Sequence, residues 1–578
     1  MRICGLKVTH DGAIALVEDG RLIFSVEQEK LGNNRRYQPI RELDVVSQTL
    51  AQFGYRLDDI DQFVVDGWDG DQHSKIPLLS SGQPITLCAA PYIEASGRNV
   101  MEPLTGAGLV MDGQKFEFVS YPHVAGHISS AYCTSDFAKQ GLSAYCLVWD
   151  GSIFPRLYFV DPEVGSVTLV KSLFPLIGHA YAAAGQHFGP YKRDTYSPRA
   201  TDLGVAGKLM AYIAMGSARD DIVAILERLY QERFSSESEA ARLYREQVVG
   251  AGMGLEPSLP YLHEYMRACA QALAEEDDDD VLASFHVFLE RKLVSHLVAA
   301  VEEHAPDLPK RICVVGGCAL NIKWNSAIRE TGRFEEVWVP PFPNDSGSAI
   351  GAACCGMISA VGLQPLEWSV YSGPALVASQ APQEGWRSAP CDLPELARRL
   401  IDGAPVVFLT GRAELGPRAL GSRSILASPV SPHMKDLLND LKLRERFRPV
   451  APICLADRAP ELFEPGLPDP YMLFDHQTRP DWLDRIPAVV HLDGTARLQT
   501  VGRDLDHPVA RLLIEFERLT GLPVLCNTSA NHHGRGFFPD VASACAWGKI
   551  AQVWSDGVLY SMEVPETSAH GTVEREQA

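Results

Sequence analysis

His123 and His127, in Pro122-His-Val-Ala-Gly-His, stand four residues apart. On a helix that spacing puts both imidazoles on one face, one turn apart. The chain has 17 histidines, so the pair alone could be fortuitous. Asp150 and Asp345 strengthen it, because each ends a strand or loop close to a glycine, where a ligand can reach. Two histidines and two aspartates without a thiolate suit iron, manganese or zinc, and the sequence does not choose among them.

A second chemistry is written in arginine. Residues 411–423 hold Arg412, Arg418 and Arg423 with three glycines, and residues 442–448 hold Lys442, Arg444, Arg446 and Arg448. Guanidinium groups beside flexible backbone suit bidentate recognition of phosphate. A solvated basic face is the plain alternative, but Pro417, Pro449 and the apolar residues between the charges predict loops folded against a core. Asn527-Thr-Ser529 follows the apolar run Pro523-Val-Leu-Cys and adds amide and hydroxyl groups suited to a nucleotide. No GxSxG, HExxH, Walker A or GxGxxG motif offers a simpler account.

These side chains need elements to hold them. His10-Asp-Gly leads into two apolar runs around Asp19-Gly20, a predicted hairpin with a type I′ turn. The pattern recurs at Trp149-Asp-Gly151, followed by Leu157-Tyr-Phe-Val and Val167-Thr-Leu-Val. Paired strand–Asp–Gly–hairpin units suggest a two-lobed actin/Hsp70/sugar-kinase type of fold, in which such hairpins hold nucleotide phosphates; two unrelated surface hairpins are the alternative. The acidic run 277–280 precedes Leu282, Phe285, Leu289, Leu293 and Leu297 on one helical face, and reads as a helix cap rather than a cation site. Ile312-Cys-Val-Val runs into Gly316-Gly317 and Asn321, a strand end that lets a ligand approach the backbone. The small-residue run 346–353 reads as a tightly packed helix. Residues 363–390 lose periodicity and read as a linker, a helix–strand unit over 396–409 opens a second domain, and 566–578 reads as a polar tail.

At 578 residues the chain is too long for one ordinary core. Its net charge of -21 argues against a nonspecific nucleic-acid binder. The 13 cysteines contain no CxxC and fit reduced thiols in a cytoplasmic protein. No apolar stretch is long enough to span a membrane, and the N-terminus lacks the apolar core of a signal peptide.

The chain resembles the NodU/CmcH family of carbamoyltransferases, which includes the tobramycin carbamoyltransferase. The resemblance is carried by Gly316-Gly-Cys-Ala-Leu-Asn, Pro340-Pro through Asp345-Ser-Gly, Ile350-Gly-Ala-Ala and Gly411-Arg-Ala-Glu-Leu-Gly-Pro-Arg-Ala-Leu-Gly. Lys442-Leu-Arg-Glu-Arg-Phe-Arg-Pro, Asp493-Gly-Thr-Ala-Arg497 and Asn527-Thr-Ser add to it. It implies a mixed α/β and α+β chain. Residues 1–365 would form a duplicated ASKHA-fold carbamoyl-transfer domain similar to the threonylcarbamoyl transferase of tRNA modification. Residues 385–565 would form a YrdC-like α/β domain that makes carbamoyl adenylate from carbamoyl phosphate and ATP, with Mg as the nucleotide's companion ion.

By the same resemblance, His123, His127, Asp150 and Asp345 hold a divalent metal of the iron type, with Mn or Zn as alternatives. His10 would be a general base for the acceptor hydroxyl, with Asp11 beside it. Gly151, Lys208, Gly316, Gly317, Asn321, Asn527 and Ser529 would contact the nucleotide. Arg418, Arg423, Lys442, Arg444, Arg448 and Arg497 would bind carbamoyl phosphate and the other phosphates. The expected partners are carbamoyl phosphate, ATP and a hydroxylated small molecule of antibiotic or toxin type. No nucleic acid or membrane is expected, and a homodimer is allowed. An amine acceptor is the nearest alternative, and a noncatalytic nucleotide-binding regulator the alternative of another class. Two departures stand out. Gly12-Ala13 replaces a pair containing serine, and Ala530-Asn-His-His-Gly-Arg535-Gly replaces the family's Phe-Asn-x-x-Gly-Glu-Pro, putting nucleotide contacts on that loop in question.

Overall fold

The computed structural model describes residues 1–70, 73–193, 203–249, 255–305, 310–378 and 384–563. The polar tail 566–578 lies outside them. Two larger sheets and a two-stranded one, Ser74–Ser80 with Gln83–Ala89, lie among the described residues of the N-terminal part. In the first, Arg2–Lys7, Ala13–Glu18 and Arg21–Glu27 form an antiparallel meander. Gln62–Asp66 then joins Arg2–Lys7 in parallel, Gln114–Tyr121 joins in parallel beyond it, and Leu104–Met111 adds an antiparallel edge. The turn at the first hairpin has positive φ at both Asp19 and Gly20, as the Asp-Gly pair predicts.

The second sheet repeats that order. Ala144–Val148, Arg156–Asp161 and Ser166–Ser172 form the meander, and Arg311–Val315 and Glu336–Trp338 add in parallel. Between the sheets lie the helices His123–Cys133 and Ser348–Val361, sharing one core with strands of both. The small-residue run is what lets them meet. A Cβ on Gly351 would fall 2.0 Å from the Gly126 carbonyl oxygen, and one on Gly5 would fall 2.0 Å from that of Ala349. The helix Asp278–His304 begins as the acidic run predicts, with the Asp277 side chain accepting from the Asp279 N–H. Its Leu289, Leu293 and Leu297 are buried, each worth roughly 1.5–3 kcal/mol.

A third, mixed sheet of eight strands follows, ordered Trp386–Pro390, Val558–Met562, Gln552–Ser555, Val406–Leu409, Arg423–Ala427, Val524–Ser529, Ala451–Leu455 and Gln499–Val501. Helices Leu393–Ile401 and Pro508–Thr520 cover one face of it. The stretch expected as a linker is not a free tether. Leu22 N–H donates to Glu367 O, Ser25 N–H to Ser372 O, and Gly373 N–H to Ala413 O. Residues 367–373 thus fill backbone hydrogen bonds for both parts of the chain, a demand that shows as irregular composition rather than as periodicity. The Lys30 ammonium ties the same parts together, donating to the carbonyls of Glu414 and Gly416 (2.8 Å to the latter) and to Glu27.

Candidate functional site

The helix His123–Cys133 starts at His123 itself, so both histidines of the pair project from its first turns. Their Nε2 atoms lie 3.1 Å apart. Asp345 opens the short turn before helix Ser348–Val361 and brings Oδ1 to 3.3 Å from His123 Nε2 and 3.6 Å from His127 Nε2. Asp150, two residues past its strand, places Oδ2 4.0 Å from His123 Nε2 and fixes Oδ1 by accepting the Gly317 N–H at 2.6 Å. Ligand atoms of these four buried side chains fall within 4.8 Å of one another.

The surroundings fit a cation. His123 Nδ1 lies 2.7 Å from Asp66 Oδ2, an orientation that turns Nε2 toward the other ligand atoms and would leave it free to bind a metal once its proton is displaced. Lys7, 1% exposed, places its ammonium 2.9 Å from Asp66 Oδ2 and 2.8 Å from Asp345 Oδ2. Burial alone would raise the Asp345 carboxyl, but Lys7, His123 and His10 outweigh it and hold it well below the usual carboxylate range. Two imidazole nitrogens and two carboxylate oxygens make a donor set for a divalent transition metal.

His10 stands between this cluster and open space. Its Nδ1 donates to Asp11 Oδ2 at 2.9 Å, its Nε2 lies 3.6 Å from Asp345 Oδ2, and its ring meets Trp68 edge-on at 5.0 Å. The side chain is 31% exposed, whereas His123 is fully buried. Asp11 adopts φ 54°, a left-handed backbone that a non-glycine residue holds at a cost.

His10, Asp11, Asp150 and Asp345 line a cavity of about 590 Å³, and so do Arg418, Lys442, Arg444, Arg448 and Arg497 from the C-terminal part. Burial, followed by repulsion from Arg36 and Arg448, lowers Arg418 to about 10. Burial and then Arg448 and Arg36 lower Arg444 to about 9, and similar causes pull Lys442 and Arg497 well below their ordinary values. The Nε atoms of Arg418 and Arg497 are buried without a hydrogen-bond partner. Such mutually repelling, desolvated cations are suited to a multivalent anion. Lys442 Nζ and Arg444 Nη2 both reach Ser529 Oγ, at 3.0 and 3.4 Å. Asn527 Nδ2 is fixed by Ala419 O and Gln499 Oε1, while its Oδ1 has no partner.

Gly151, Lys208, Gly317, Asn321, Asn527 and Ser529 also line the cavity, with Lys208 3.8 Å from Glu445. Two expected residues sit elsewhere. Gly316 is outside the lining; its φ of 93° and the Trp149 carbonyl, 2.4 Å from a would-be Cβ, give it a turn to make. Arg423 turns its guanidinium onto the carbonyls of Thr410, Ser422, Gly411 and Pro374, bracing the glycine-rich loop from behind. Sequence reasoning passed over Lys7, Asp66, Tyr92, His179 and Arg36. A lysine closing the apolar run Ile3-Cys-Gly-Leu was a signal, and Val65-Asp-Gly67 repeats the strand–Asp–Gly pattern of Asp150. His179 packs against Gly151, and burial takes its imidazole down to about 4, so it stays neutral.

Residues 2–354 match the family model described as carbamoyltransferase N-terminus, and residues 397–553 that of carbamoyltransferase C-terminus. The chain belongs to the carbamoyltransferase family. This carbamoyltransferase is 59% identical over 563 residues to Nodulation protein U of Rhizobium tropici, covering 97% of this chain and 96% of that protein. It is 32% identical over 561 residues to the 3'-hydroxymethylcephem-O-carbamoyltransferase of Streptomyces clavuligerus, covering 95% and 97%. Among solved structures, the activator of the 2-hydroxyisocaproyl-CoA dehydratase from Clostridium difficile with bound ADPNP aligns with 62% of this chain and 96% of that one, at TM-score 0.31 and 13% identity. No helix among the described residues is long and apolar enough to cross a membrane.

Proposed function

We propose that this carbamoyltransferase is an ATP-dependent O-carbamoyltransferase working in two steps along one cavity. In the first, carbamoyl phosphate and water give carbamate and phosphate, and the carbamate oxygen attacks the α-phosphorus of ATP to give carbamoyl adenylate and release pyrophosphate, against Arg418, Lys442, Arg444, Arg448 and Arg497 in a YrdC-like domain, residues 385–565. In the second, the carbamoyl group passes to a small-molecule hydroxyl beside His10 in an ASKHA-type domain, residues 1–365. The observation that carries this reading is the continuity of the cavity, lined by the cation cluster and by His10 and Asp345 alike. The repeated strand order of the first two sheets supports the ASKHA assignment.

Each part has a definite task. The cations offset the phosphate charge as the adenylate forms. Exchanging phosphate for AMP gives the carbamoyl carbon a better leaving group. Asp11 orients His10 through Nδ1, and in the neutral imidazole Nε2 takes the proton of the acceptor hydroxyl; the new C–O bond forms and AMP departs. His123, His127, Asp150 and Asp345 would hold a divalent metal, which when bound supplies Lewis-acid stabilisation of charge on the carbamoyl oxygen. Enclosure of the adenylate between the two parts limits its loss to water.

The test is a panel of hydroxylated metabolites incubated with enzyme, Mg-ATP and carbamoyl phosphate and followed by mass spectrometry. A carbamoyl gain on an acceptor oxygen that requires both cosubstrates is the expected result. Product formed without ATP, or carbamoylation confined to amines, would overturn the reading.

A further inference from the structure

The anion site has a contributor from the other part of the molecule. Arg36, on the segment between strands Arg21–Glu27 and Gln62–Asp66, lines the same cavity as Arg418, Lys442, Arg444 and Arg448. Its Nε is buried without a hydrogen-bond partner, and the nearest carboxylate, Glu29, is 4.0 Å away. The Arg36 charge reaches all four of those cations, adding to the repulsion that loosens their protons.

What holds Arg36 there is the loop that departs from the family pattern. The Arg36 N–H donates to Gly534 O at 3.1 Å, and the Gly536 N–H to Asn34 O at 3.0 Å. The Arg535 guanidinium reaches Asn33 O at 2.7 Å, and Arg35 and Arg535 pair as an antiparallel bridge. Gly536 allows the approach, because a Cβ there would lie 1.7 Å from the Glu29 carbonyl oxygen. The other end of the loop grips the cluster itself. His533 Nδ1 donates to the Lys442 carbonyl at 3.2 Å, and Asn531 Oδ1 accepts from the Lys442 ammonium. One backbone strap therefore joins Lys442 to Arg36.

We propose that Arg36 is a phosphate-binding residue supplied across the lobe boundary, and that the 530–536 loop, through Gly536, seats it. The inference rests on the anion-site reading above and deepens it: phosphate bound there is held from both parts of the chain at once. A guanidinium whose Nε is buried without a partner gains most from a charge-assisted, bidentate bond to a phosphate oxygen pair. Carbamoyl phosphate and the nucleotide phosphates share that chemistry.

The test is calorimetric binding of inorganic phosphate and, separately, of Mg-ATP to the full-length protein and to Arg36→Ala, Arg36→Gln, Gly536→Ala and Arg418→Ala. Arg36→Ala should weaken phosphate binding about 10-fold or more, the scale of a lost charge-assisted hydrogen bond. Arg36→Gln, which keeps most of the side-chain bulk, gives the same reading should the alanine variant fold poorly. Loss confined to inorganic phosphate would place Arg36 on the donor phosphate, and loss confined to ATP on the nucleotide; either supports the proposal. Gly536→Ala should reproduce the loss although it touches no ligand, and normal binding by that variant would overturn the strap. Parental binding of both ligands by the Arg36 variants, with Arg418→Ala impaired, would overturn Arg36 alone. Parental binding by Arg418→Ala as well would overturn the anion site as a whole.

Discussion

The Asp66 carboxylate holds His123 at 2.7 Å through Nδ1, and the same Oδ2 receives the buried Lys7 ammonium at 2.9 Å. One oxygen thus contacts a proposed metal ligand and pairs with a cation that also braces Asp345. Carboxylates behind ligating histidines raise ligand basicity and lock ring orientation. Asp66→Asn should lower affinity for Fe²⁺, Mn²⁺ or Zn²⁺ by roughly 10- to 100-fold. Titration against a competing chelator reads the change directly. Affinity equal to the parental value would mean that His123 needs no orienting partner.

Metal removal should separate the two proposed half-reactions. Chelator-stripped protein should still bind phosphate and form carbamoyl adenylate, because the cation cluster uses none of His123, His127, Asp150 or Asp345. Acceptor carbamoylation should fall to background and return on adding back one divalent metal. Full product formation by protein shown metal-free by elemental analysis would contradict the donor-set assignment.

The Gly126–Gly351 contact makes a stability prediction independent of chemistry. A methyl group on Gly351 would sit 2.0 Å from the Gly126 carbonyl oxygen, in a core where neither helix backbone can yield cheaply. Gly351→Ala should destabilise the fold by about 1–3 kcal/mol, read from the urea midpoint, and should disturb the His123 helix with it. An unchanged midpoint would show that the two helices slide apart freely.

Arg418→Ala and Lys442→Ala should each abolish adenylate formation, measured as ATP–pyrophosphate exchange in the presence of carbamoyl phosphate. Both side chains line the cavity and are pushed down by burial and by like charge, so neither is a solvated surface cation. Arg423→Ala should instead act through stability, since its guanidinium serves four backbone carbonyls. Parental exchange rates in the first two variants would remove them from the phosphate site.

The sequence was legible where a side chain's type and its local spacing state the demand together. The HxxxH spacing was only suggestive by itself and gained weight from Asp150, Asp345 and the resemblance, whereas Asp19-Gly20 needed only the φ of its turn. Asp150, Asp345 and the arginines declared themselves by loop context and by resemblance. What stayed hidden depends on contacts distant in sequence. Lys7 looks like a lysine ending a strand until the fold delivers Asp66 and Asp345 to it. Arg36 looks like an ordinary loop cation until residues 530–536 dock beside it. Arg423 shows the converse error, because density of charge does not say which way a guanidinium turns. Residues 367–373 read as linker since backbone bonding to both halves of the chain leaves no hydrophobic period.

His10 tests the division of labour most directly. It follows the strand Arg2–Lys7 by three residues, with Asp11 fixing Nδ1 and Nε2 left to face the cavity beside Asp345. His10→Asn keeps a hydrogen-bonding side chain of similar shape and removes the basic nitrogen. Transfer to the acceptor should slow by roughly 100- to 10,000-fold, the usual contribution of a positioned general base. Adenylate synthesis should stay near parental, because the proposed phosphate site is built from Arg418 through Arg497 and from Arg36, not from His10. Rapid-quench sampling of both adenylate and product separates the steps. Accumulation of adenylate with little product is the expected signature. Equal loss in both steps would point to disturbed docking between the two parts of the chain, and an unchanged transfer rate would leave His10 as no more than a partner for Asp11.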